Sequence, residues 1–288
     1  MKILILGGSG QLGRSLLESD LKSTEVHSPS SSFIDVTDFD RTTKYILELR
    51  PDFVINATAW TNVPGAEESK DAAFLVNSKA VGNMASACKL SGAALVHIST
   101  DYVFDGQKGT SYSESDSPSP LNVYGDSKLA GENAIINSGL ESFYIIRTSW
   151  LYSKFGENFV KSIAAKSIKF EPSSVTDDQF GSPTFAGDLA EGILSILKTK
   201  PKPGIYNYSN SGVTSWFQFA QKIYQRTGSN ESLVSSRKTE SSELKRPAYS
   251  PLDLSKWADS GLSQISSWEK RLIAELPDII AKIEREKN

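Results

Sequence analysis

The sequence predicts an α/β fold with a doubly wound parallel sheet and a smaller C-terminal α/β lobe. A buried apolar strand opens the chain at residues 3–6 and runs directly into a glycine-rich turn and a helix. Strand-like and helix-like stretches then alternate to about residue 168, which favours parallel strands joined by right-handed crossovers, the Rossmann arrangement. Beyond residue 170 the alternation loosens. We therefore expect a dinucleotide-binding core at 1–150, rejoined by later segments, and a substrate lobe formed mainly by 151–288.

Composition and charge are those of an ordinary globular protein. The chain has 288 residues, of which 39% are hydrophobic and 23% are charged. A formal net charge of -3 provides no basic surface for nucleic acid or for an anionic membrane. No stretch approaches the roughly 20 apolar residues of a membrane span. The single cysteine, Cys88, excludes an intramolecular disulfide, so we expect a cytoplasmic protein in which this thiol is buried and inert.

The first turn has the glycine spacing of a dinucleotide-binding site. The strand Ile3–Leu6 is followed by Gly7-Gly-Ser-Gly-Gln-Leu-Gly13 and then by leucines at helical spacing. Glycines let the backbone approach a pyrophosphate, and the N-terminus of the following helix offers unpaired N–H groups and a favourable dipole. Two registers fit, one starting at Gly7 and one at Gly8, and both include Gly10. A plain strand–helix turn is the alternative interpretation.

The end of the second strand distinguishes NAD from NADP in many dinucleotide-binding proteins. Enzymes that are strict for NAD usually place a carboxylate there, on the ribose 2′-hydroxyl. Here the strand near Glu25–His27 is followed by Ser28-Pro-Ser-Ser-Ser32, with no carboxylate before Asp35 and no arginine. We therefore expect the protein to accept both NADPH and NADH.

The stretch 97–128 combines hydroxyl groups with a Tyr-x-x-x-Lys pattern. A buried strand ends at Thr100, and Tyr124 and Lys128 follow on a predicted helix. Side chains at i and i+4 share a helix face, and a neighbouring cation favours the ionised form of a phenol. We therefore expect Lys128 to lower the pKa of Tyr124, with Thr100 hydrogen-bonding the same substrate oxygen. Such a site moves a proton on and off a carbonyl or an alcohol, although the pattern alone also fits a solvated helix face.

Caps, breakers and periodicity predict the remaining elements. Asp38 is expected to cap one helix, and a second helical pattern at 67–91 is expected to end at Gly92. A capping box is expected at Ser215. Further strands are expected at 53–57, 143–147 and 204–209, and further helices at 159–168, at 186–197 and from residue 268 onward. The composition of the Ser/Pro-rich segment 111–120 also fits a disordered insert, but its place between two catalytic candidates favours a flap on the substrate side.

These motifs resemble those of the dTDP-4-dehydrorhamnose reductases, a family of extended short-chain dehydrogenase/reductases. The similarity spans essentially the whole chain. Tyr-x-x-x-Lys is shared by the whole superfamily, whereas three longer motifs are more particular to this family: Ser99-Thr-Asp-Tyr-Val-Phe104, Arg147-Thr-Ser-Trp150 and Asp178-Gln-x-Gly-x-Pro-Thr184. The resemblance implies NAD(P)H-dependent reduction of the C4 ketone of dTDP-4-dehydro-6-deoxy-L-mannose to dTDP-L-rhamnose, the last step of dTDP-rhamnose biosynthesis.

The resemblance also implies a role for individual residues. Tyr124 would donate the proton, Lys128 would bind the nicotinamide ribose and tune Tyr124, and Thr100 would assist at the substrate oxygen. The residues that would bind the sugar nucleotide are Thr100, Asp101, Trp150 and Arg246. Besides Tyr124 and Lys128, the residues that would contact the cofactor are Gly7, Gly10, Gln11, Leu12, Gly13, Asp35, Val36, Ala59, Trp60, Thr61 and Asn77. Some relatives form magnesium-linked dimers. This sequence has no dedicated ligand cluster, so we expect no metal, and a homodimer is an open expectation.

Two other functions use the same scaffold. One is a non-catalytic regulatory subunit like the methionine adenosyltransferase beta subunit, but the intact Thr100, Tyr124 and Lys128 favour an enzyme. The other is a sugar-nucleotide epimerase or dehydratase. Such dehydratases usually place acidic residues after the active-site threonine, and the sequence Asp101-Tyr102 here weakens that interpretation. The chain departs from the family at Val63-Pro-Gly-Ala-Glu67, where Val-Asp-Lys-Ala-Glu is common.

Overall fold

A six-stranded parallel sheet forms the centre of the protein in a computed structural model that describes residues 1–21 and 24–286. In spatial order its strands are β2 (Glu25–His27), β1 (Lys2–Leu6), β3 (Phe53–Asn56), β4 (Ala94–Thr100), β5 (Phe143–Thr148) and β10 (Gly204–Asn207). The winding reverses between β1 and β3. Open α/β sheets bind ligands at such a switch point, outside the carboxyl ends of the strands. The sheet confirms the doubly wound fold class.

Helices cover both faces of this sheet. One face carries α1 (Gln11–Glu18) and α8 (Ala186–Thr199), and the other carries α2 (Phe39–Leu49), α5 (Ala80–Ser91) and α6 (Val123–Asn137). The apolar strands are therefore buried on both sides, as parallel strands are. Cys88 lies in the core beneath α5, and burial raises the pKa of its thiol to about 12. Within the described residues, no helix has the length and apolar character needed to cross a bilayer.

The C-terminal half contains a separate apolar core. Its strands pair two by two: β6 (Leu151–Tyr152) with β9 (Thr184–Phe185), β7 (Ser173–Thr176) with β12 (Val234–Arg237), and β8 (Phe180–Gly181) with β11 (Thr214–Ser215). The helices around that core are α7 (Phe159–Ser167), α9 (Trp216–Arg226) and α11 (Trp268–Arg285). Helix α10 (Ser255–Asp259) instead packs Trp257 against the core beneath α8. The expected capping box is present, since Ser215 and Gln218 each accept the other's backbone N–H.

The region before α5 differs from the single helical pattern expected at 67–91. It consists of α3 (Val63–Glu68), α4 (Lys70–Phe74) and a π-helical turn (Leu75–Lys79) that leads into α5, which ends at Gly92 as expected. The departure at 63–67 fits a helix start. Pro64 lies in the first turn of α3, where its missing N–H costs nothing, and Asn62 Oδ1 accepts the N–H of Gly65. Asp38 caps α2 as predicted.

The Ser/Pro-rich segment 111–120 packs against the edge of the core. Tyr112 stacks on Phe104 with ring centroids 4.2 Å apart. Glu114 Oε1 accepts the N–H of Asn207 at the end of β10, at 2.8 Å. These contacts exclude the disordered-insert interpretation of this segment.

Candidate active site

Two glycines in the turn after β1 are required by the fold itself. Gly7 has φ 85°, and a Cβ there would lie 2.8 Å from the backbone of Ala57. A Cβ at Gly13 would collide with the carbonyl oxygen of Gly7. At Gly8 the closest atom to a Cβ would be a side-chain hydroxyl, which can move. The structure therefore favours the register Gly7-x-x-Gly10-x-x-Gly13 over the one that starts at Gly8.

Gly10 is different, because the protein leaves space beside it. It is the N-cap residue of α1 with φ −75°, and the nearest atom to a Cβ would be the Gly7 carbonyl oxygen at 3.4 Å. The fold alone does not demand glycine at this position, whereas a ligand lying close to the backbone does. No side chain caps α1 and no acidic residue lies in its first turn. Its N-terminal N–H groups and dipole are therefore available to an anion.

A cleft of about 290 Å³ opens beside this turn, between the ends of β1 and β3, and we call it the switch-point cleft. Five of the predicted cofactor residues line it: Gly7, Gly10, Asp35, Val36 and Ala59. The remaining lining residues are Leu6, Gly8, Ser9, Pro29, Ser31, Ile34, Ala57, Thr58 and Val76. Gly8, Ser9, Pro29 and Ser31 belong to the glycine turn and to the segment after β2 that the sequence indicated, whereas Leu6, Ile34 and Val76 were not predicted. Several of the lining residues directly follow β2 or β3. The predicted carboxyl ends of these two strands could therefore have identified them as cleft residues from the sequence. Asp35 accepts hydrogen bonds from the Thr37 N–H and hydroxyl, which lower the pKa of its carboxyl.

The other residues predicted to contact the cofactor lie outside this lining, and two of them have structural contacts elsewhere. Leu12 is buried in the core beneath α1. Gln11 Oε1 accepts hydrogen bonds from Ser153 Oγ at 3.1 Å and Asn158 Nδ2 at 2.9 Å. Gln11 therefore connects α1 to the loop that follows β6. Trp60 and Thr61 lie on the loop between β3 and α3.

Asn77 is a buried support on the π-helical turn. Its Oδ1 accepts the backbone N–H of Trp60 at 2.8 Å, and its Nδ2 donates to the Trp60 carbonyl at 3.0 Å and to Ser127 Oγ at 2.9 Å. One side chain thus ties the loop after β3 to α6. Single π turns inside helices are frequently found at functional sites. Here the turn places Asn77 between the cleft and the proton-transfer residues.

The proton-transfer candidates meet at the carboxyl end of β4. Asn122 Oδ1 accepts the N–H of Gly125 and so caps α6, which places Tyr124 in the first helical turn. Thr100 lies beside Tyr124, and its hydroxyl donates to Asp101 Oδ1 at 3.2 Å. Burial raises the pKa of Tyr124 to about 12, against an opposing effect of the nearby Thr100 hydroxyl. The phenol is therefore protonated near neutral pH, as a proton donor must be.

Lys128 does not act on Tyr124 in the predicted way. Its Nζ donates to the carbonyl oxygen of Ile98 at 2.5 Å and lies 3.3 Å from His97 Nε2. Burial lowers the pKa of Lys128 to about 8. The predicted lowering of the pKa of Tyr124 is therefore wrong for this structure, because the amine is engaged with β4 rather than with the phenol.

Buried polar groups to which the sequence assigned no role surround Lys128. His97 Nδ1 lies 3.0 Å from Asn56 Nδ2, and burial holds the pKa of His97 well below its usual range. Glu132, one helical turn after Lys128, forms a two-bond ion pair with Arg147 at 2.9 and 2.6 Å. The i,i+4 spacing of Lys128 and Glu132 was the one local signal. Asn56, His97 and Arg147 lie on three different strands, so only the tertiary structure brings them together.

Two of the predicted substrate residues lie on the side of the C-terminal lobe. Trp150 has φ 48°, which is uncommon for a bulky residue, and its ring stacks on Trp216 with centroids 3.5 Å apart. Arg246 is exposed, and its charge acts on Tyr102. The Tyr102 ring in turn lies 5.7 Å from that of Tyr124. Arg246 therefore stands at the edge of the proton-transfer residues.

Asp101 is a buried carboxyl group beside Thr100. Ser250 Oγ donates to its Oδ2 at 2.6 Å, and burial raises the pKa of Asp101 to about 7. Neither Asp101 nor any other residue in the described part of the chain belongs to a group of three or more His, Cys, Asp or Glu side chains that could hold a metal ion.

Known proteins share both the sequence and the fold of this chain. The family model described as the RmlD substrate binding domain matches residues 1–280. A dTDP-4-dehydrorhamnose reductase from Streptomyces griseus is 37% identical over 296 residues, which cover 98% of this chain and 95% of that protein. A dTDP-4-keto-6-deoxy-D-glucose reductase from Streptomyces niveus is 33% identical over 278 residues, which cover 95% of this chain and 96% of that protein.

A solved structure gives the same result. The crystal structure of a dTDP-4-dehydrorhamnose reductase from Bacillus anthracis in complex with NADP has a TM-score of 0.91 and 36% sequence identity. The similarity covers 96% of this chain and 99% of that chain. The chain therefore belongs to the dTDP-4-dehydrorhamnose reductase family.

Proposed function

We propose that this protein uses NADPH or NADH to reduce the C4 ketone of dTDP-4-dehydro-6-deoxy-L-mannose to dTDP-L-rhamnose, the last step of dTDP-rhamnose biosynthesis. One observation carries the proposal. Thr100 and Tyr124 lie side by side at the carboxyl end of β4, in the same sheet whose switch-point cleft begins at the glycine turn. Family membership supports the same reaction, because the relatives are named as reductases of dTDP-linked keto sugars.

The residues of the switch-point cleft fit a dinucleotide. The space at Gly10 and the uncapped N-terminus of α1 suit a pyrophosphate that lies against the backbone. Pro29 and Ser31 line the cleft after β2 and carry no charge that would select against a 2′-phosphate. A bound nicotinamide dinucleotide supplies the hydride. Gln11, Leu12, Gly13, Trp60, Thr61 and Asn77 complete the proposed cofactor site around the residues that line the cleft.

Tyr124 is the proposed proton donor. Negative charge develops on the ketone oxygen as C4 is reduced, and a protonated phenol within hydrogen-bond reach neutralises that charge. Thr100 binds the same oxygen and keeps the Tyr124 hydroxyl oriented. Lys128 lies one helical turn further along α6 and is proposed to bind the nicotinamide ribose.

The substrate side is proposed to be the lobe formed mainly by 151–288, whose last two residues lie outside the described part. Asp101 and Trp150 would contact the sugar nucleotide. Arg246 presents an exposed guanidinium, a group whose fork of N–H donors matches a diphosphate. A homodimer and a cytoplasmic location belong to the same proposal.

The experiment that tests the proposal also identifies the sugar. The purified protein is given NADPH or NADH with either dTDP-4-dehydro-6-deoxy-L-mannose or dTDP-4-keto-6-deoxy-D-glucose, the ketone in the name of the S. niveus relative. We expect oxidation of the reduced cofactor with both cofactors, and faster with the first sugar. Cofactor binding without turnover of either sugar would instead indicate a regulatory subunit. Conversion of a sugar nucleotide without net oxidation of the cofactor would indicate an epimerase or a dehydratase.

A further inference from the structure

A chain of buried hydrogen bonds lies behind Lys128. It runs from Thr58 through Asn56 and His97 to Lys128, and the Asn56 and His97 side chains are completely buried while Lys128 is 1% exposed. Buried polar groups must find their partners among one another. The direction of each hydrogen bond in the chain can therefore be derived from the fixed donor at its start.

Thr58 fixes the orientation of the Asn56 amide. The Thr58 backbone N–H can only donate, and it lies 3.0 Å from Asn56 Oδ1. Asn56 therefore presents its NH2 group to His97 Nδ1, 3.0 Å away. A ring nitrogen that accepts a hydrogen bond carries no proton, so the neutral imidazole carries its single proton on Nε2. A protonated imidazolium would set two donors against each other.

The Nε2–H of His97 faces Lys128 across 3.3 Å. An ammonium group has three donors and no acceptor, so it cannot accept this hydrogen bond. A free amine has one lone pair, and it can accept from His97 while donating to the Ile98 carbonyl. Glu132 is the carboxylate that would favour an ammonium at Lys128, but it is paired with Arg147 through two hydrogen bonds.

No other titratable group in the described structure forms a contact with Lys128 Nζ that would favour the ammonium form. Besides His97 and Glu132, the ionisable side chains on α6 and on the elements packed against it are Glu67, Glu68, Lys70, Asp71, Lys79, Cys88, Lys89, Asp101, Tyr102, Tyr124 and Asp126. None of these eleven makes a hydrogen bond or an ion pair with Lys128 Nζ within the described residues. Asp101 is bound to Thr100 and Ser250, and Glu67 accepts the N–H of Val123.

We propose that His97 is a positioning residue whose Nε2–H opposes protonation of Lys128 in the cofactor-free protein, so that Lys128 holds its proton less tightly than an exposed lysine does. The consequence for catalysis rests on the proposed function. Lys128 lies one helical turn from the proposed proton donor, so its loss of a proton is expected to appear in the pH profile of turnover. His97 does not pass that proton onward, because its Nδ1 faces an amide group, which does not release protons.

The tautomer of His97 is directly measurable. The chain has 2 histidines, His27 and His97, so the ¹⁵N NMR spectrum of the full-length protein labelled at histidine has few signals, and His27→Gln assigns them. We expect a neutral His97 ring protonated on Nε2, unchanged over roughly pH 6 to 10. A ring protonated on Nδ1, or an imidazolium, overturns the proposal.

The charge of Lys128 is measured separately. In protein labelled at lysine Cε, the ¹³C signal that disappears in Lys128→Met reports the titration of this amine. We expect a midpoint near the pKa of about 8 given by burial. A midpoint in the ordinary range for lysine, above about pH 10, overturns the proposal.

Asn56→Asp reverses the hydrogen bonding while keeping the shape of the side chain. A carboxylate still accepts from Thr58, but it also accepts from His97 Nδ1–H, which leaves Nε2 free to accept from an ammonium. We expect the His97 tautomer to switch and the Lys128 midpoint to rise by at least about one pH unit, a tenfold gain in proton affinity. An unchanged tautomer and midpoint would contradict the proposal. The matched control is Val96→Ala on the same strand, whose side chain lies in the core beneath α8, and it should change neither measurement.

A second variant covers the case in which Asn56→Asp fails to fold. His97→Leu removes the opposing N–H, so the Lys128 midpoint should again rise, and a fall would overturn the proposal. Neither NMR measurement requires turnover. A protein that shows the expected tautomer and midpoint but reduces neither sugar would refute the proposed function and leave the assignment of His97 intact. In an active protein, the alkaline limb of the pH profile of kcat/KM should follow the Lys128 midpoint in each variant.

Discussion

The two parts of the candidate active site border the same edge of the sheet but are built in different ways. The switch-point cleft is shaped by backbone, through Gly7, Gly10 and Gly13 within one turn. The proposed proton-transfer residues Thr100 and Tyr124 instead depend on buried side chains from several strands and from α6. The difference suggests that substitutions in the cleft act through steric exclusion. Substitutions around the proton-transfer residues act through protonation and buried charge.

The largest expected effect tests the role of a single phenol. Tyr124→Phe should lower kcat by about 10²–10⁴-fold, because the substitution removes the general acid while preserving the ring. Cofactor affinity should be unchanged. Tyr152→Phe is the matched control, since its buried hydroxyl has no partner within the described residues, and its kcat should equal that of the wild type. Near wild-type turnover in Tyr124→Phe would contradict the proposed mechanism.

The buried ion pair between Glu132 and Arg147 should contribute strongly to the free energy of unfolding of the protein. Glu132→Gln leaves the Arg147 guanidinium without its counter-charge at a site 2% exposed, so unfolding should require about 3–5 kcal/mol less free energy. Urea denaturation measures this change. The double variant Glu132→Leu with Arg147→Met should recover much of the loss, because no charge is then buried. A double variant as unstable as the single one would show that packing, not charge, is responsible.

Asp101 should make stability depend on pH. Its pKa is 3.8 in an unfolded chain and about 7 when buried, so the folded state binds the proton more tightly. The stabilisation is complete below about pH 4 and is lost as the pH rises to about 7, a change of at most about 4 kcal/mol. Asp101→Asn should abolish this slope in urea denaturation between pH 4 and pH 8. An equal slope in both proteins would assign the pH dependence to another group.

Within the cleft, Gly10→Val separates folding from binding. The protein has room for a Cβ there, so the variant should fold with at most a modest loss of stability from the poorer N-cap residue, whereas the dissociation constant for NADPH should rise at least about tenfold, or 1.4 kcal/mol. Gly7→Val is the contrasting variant and should fold poorly, because its φ is 85° and the Ala57 backbone is too close. Unchanged NADPH affinity in Gly10→Val would contradict the assignment of the pyrophosphate site to this turn.

The smallest expected effect concerns the second hydroxyl. Thr100→Val keeps the shape of the side chain and removes the hydroxyl beside Tyr124, and one hydrogen bond to the substrate oxygen is worth about 0.5–1.5 kcal/mol. We expect kcat to fall by roughly tenfold or less. A loss as large as that of Tyr124→Phe would make Thr100, rather than Tyr124, the group on which proton transfer depends.

Consecutive residues were sufficient to predict the fold class, and they singled out the glycine turn and the candidate set of Thr100, Tyr124 and Lys128. Apolar runs, caps and i,i+4 spacing are local properties, and each of them can be read within about a dozen residues. The same locality explains the error at 67–91, where a continuous helical period concealed the break at Ser69 and the π-helical turn.

Only the tertiary structure decided how these residues behave. Lys128 was predicted to act on Tyr124, but the fold places it against Ile98 and His97 instead. The direction in which a pKa moves depends on desolvation and on the nearest buried partners. Those partners come from β3, β4 and β5, which are separated along the chain and meet only when the sheet forms.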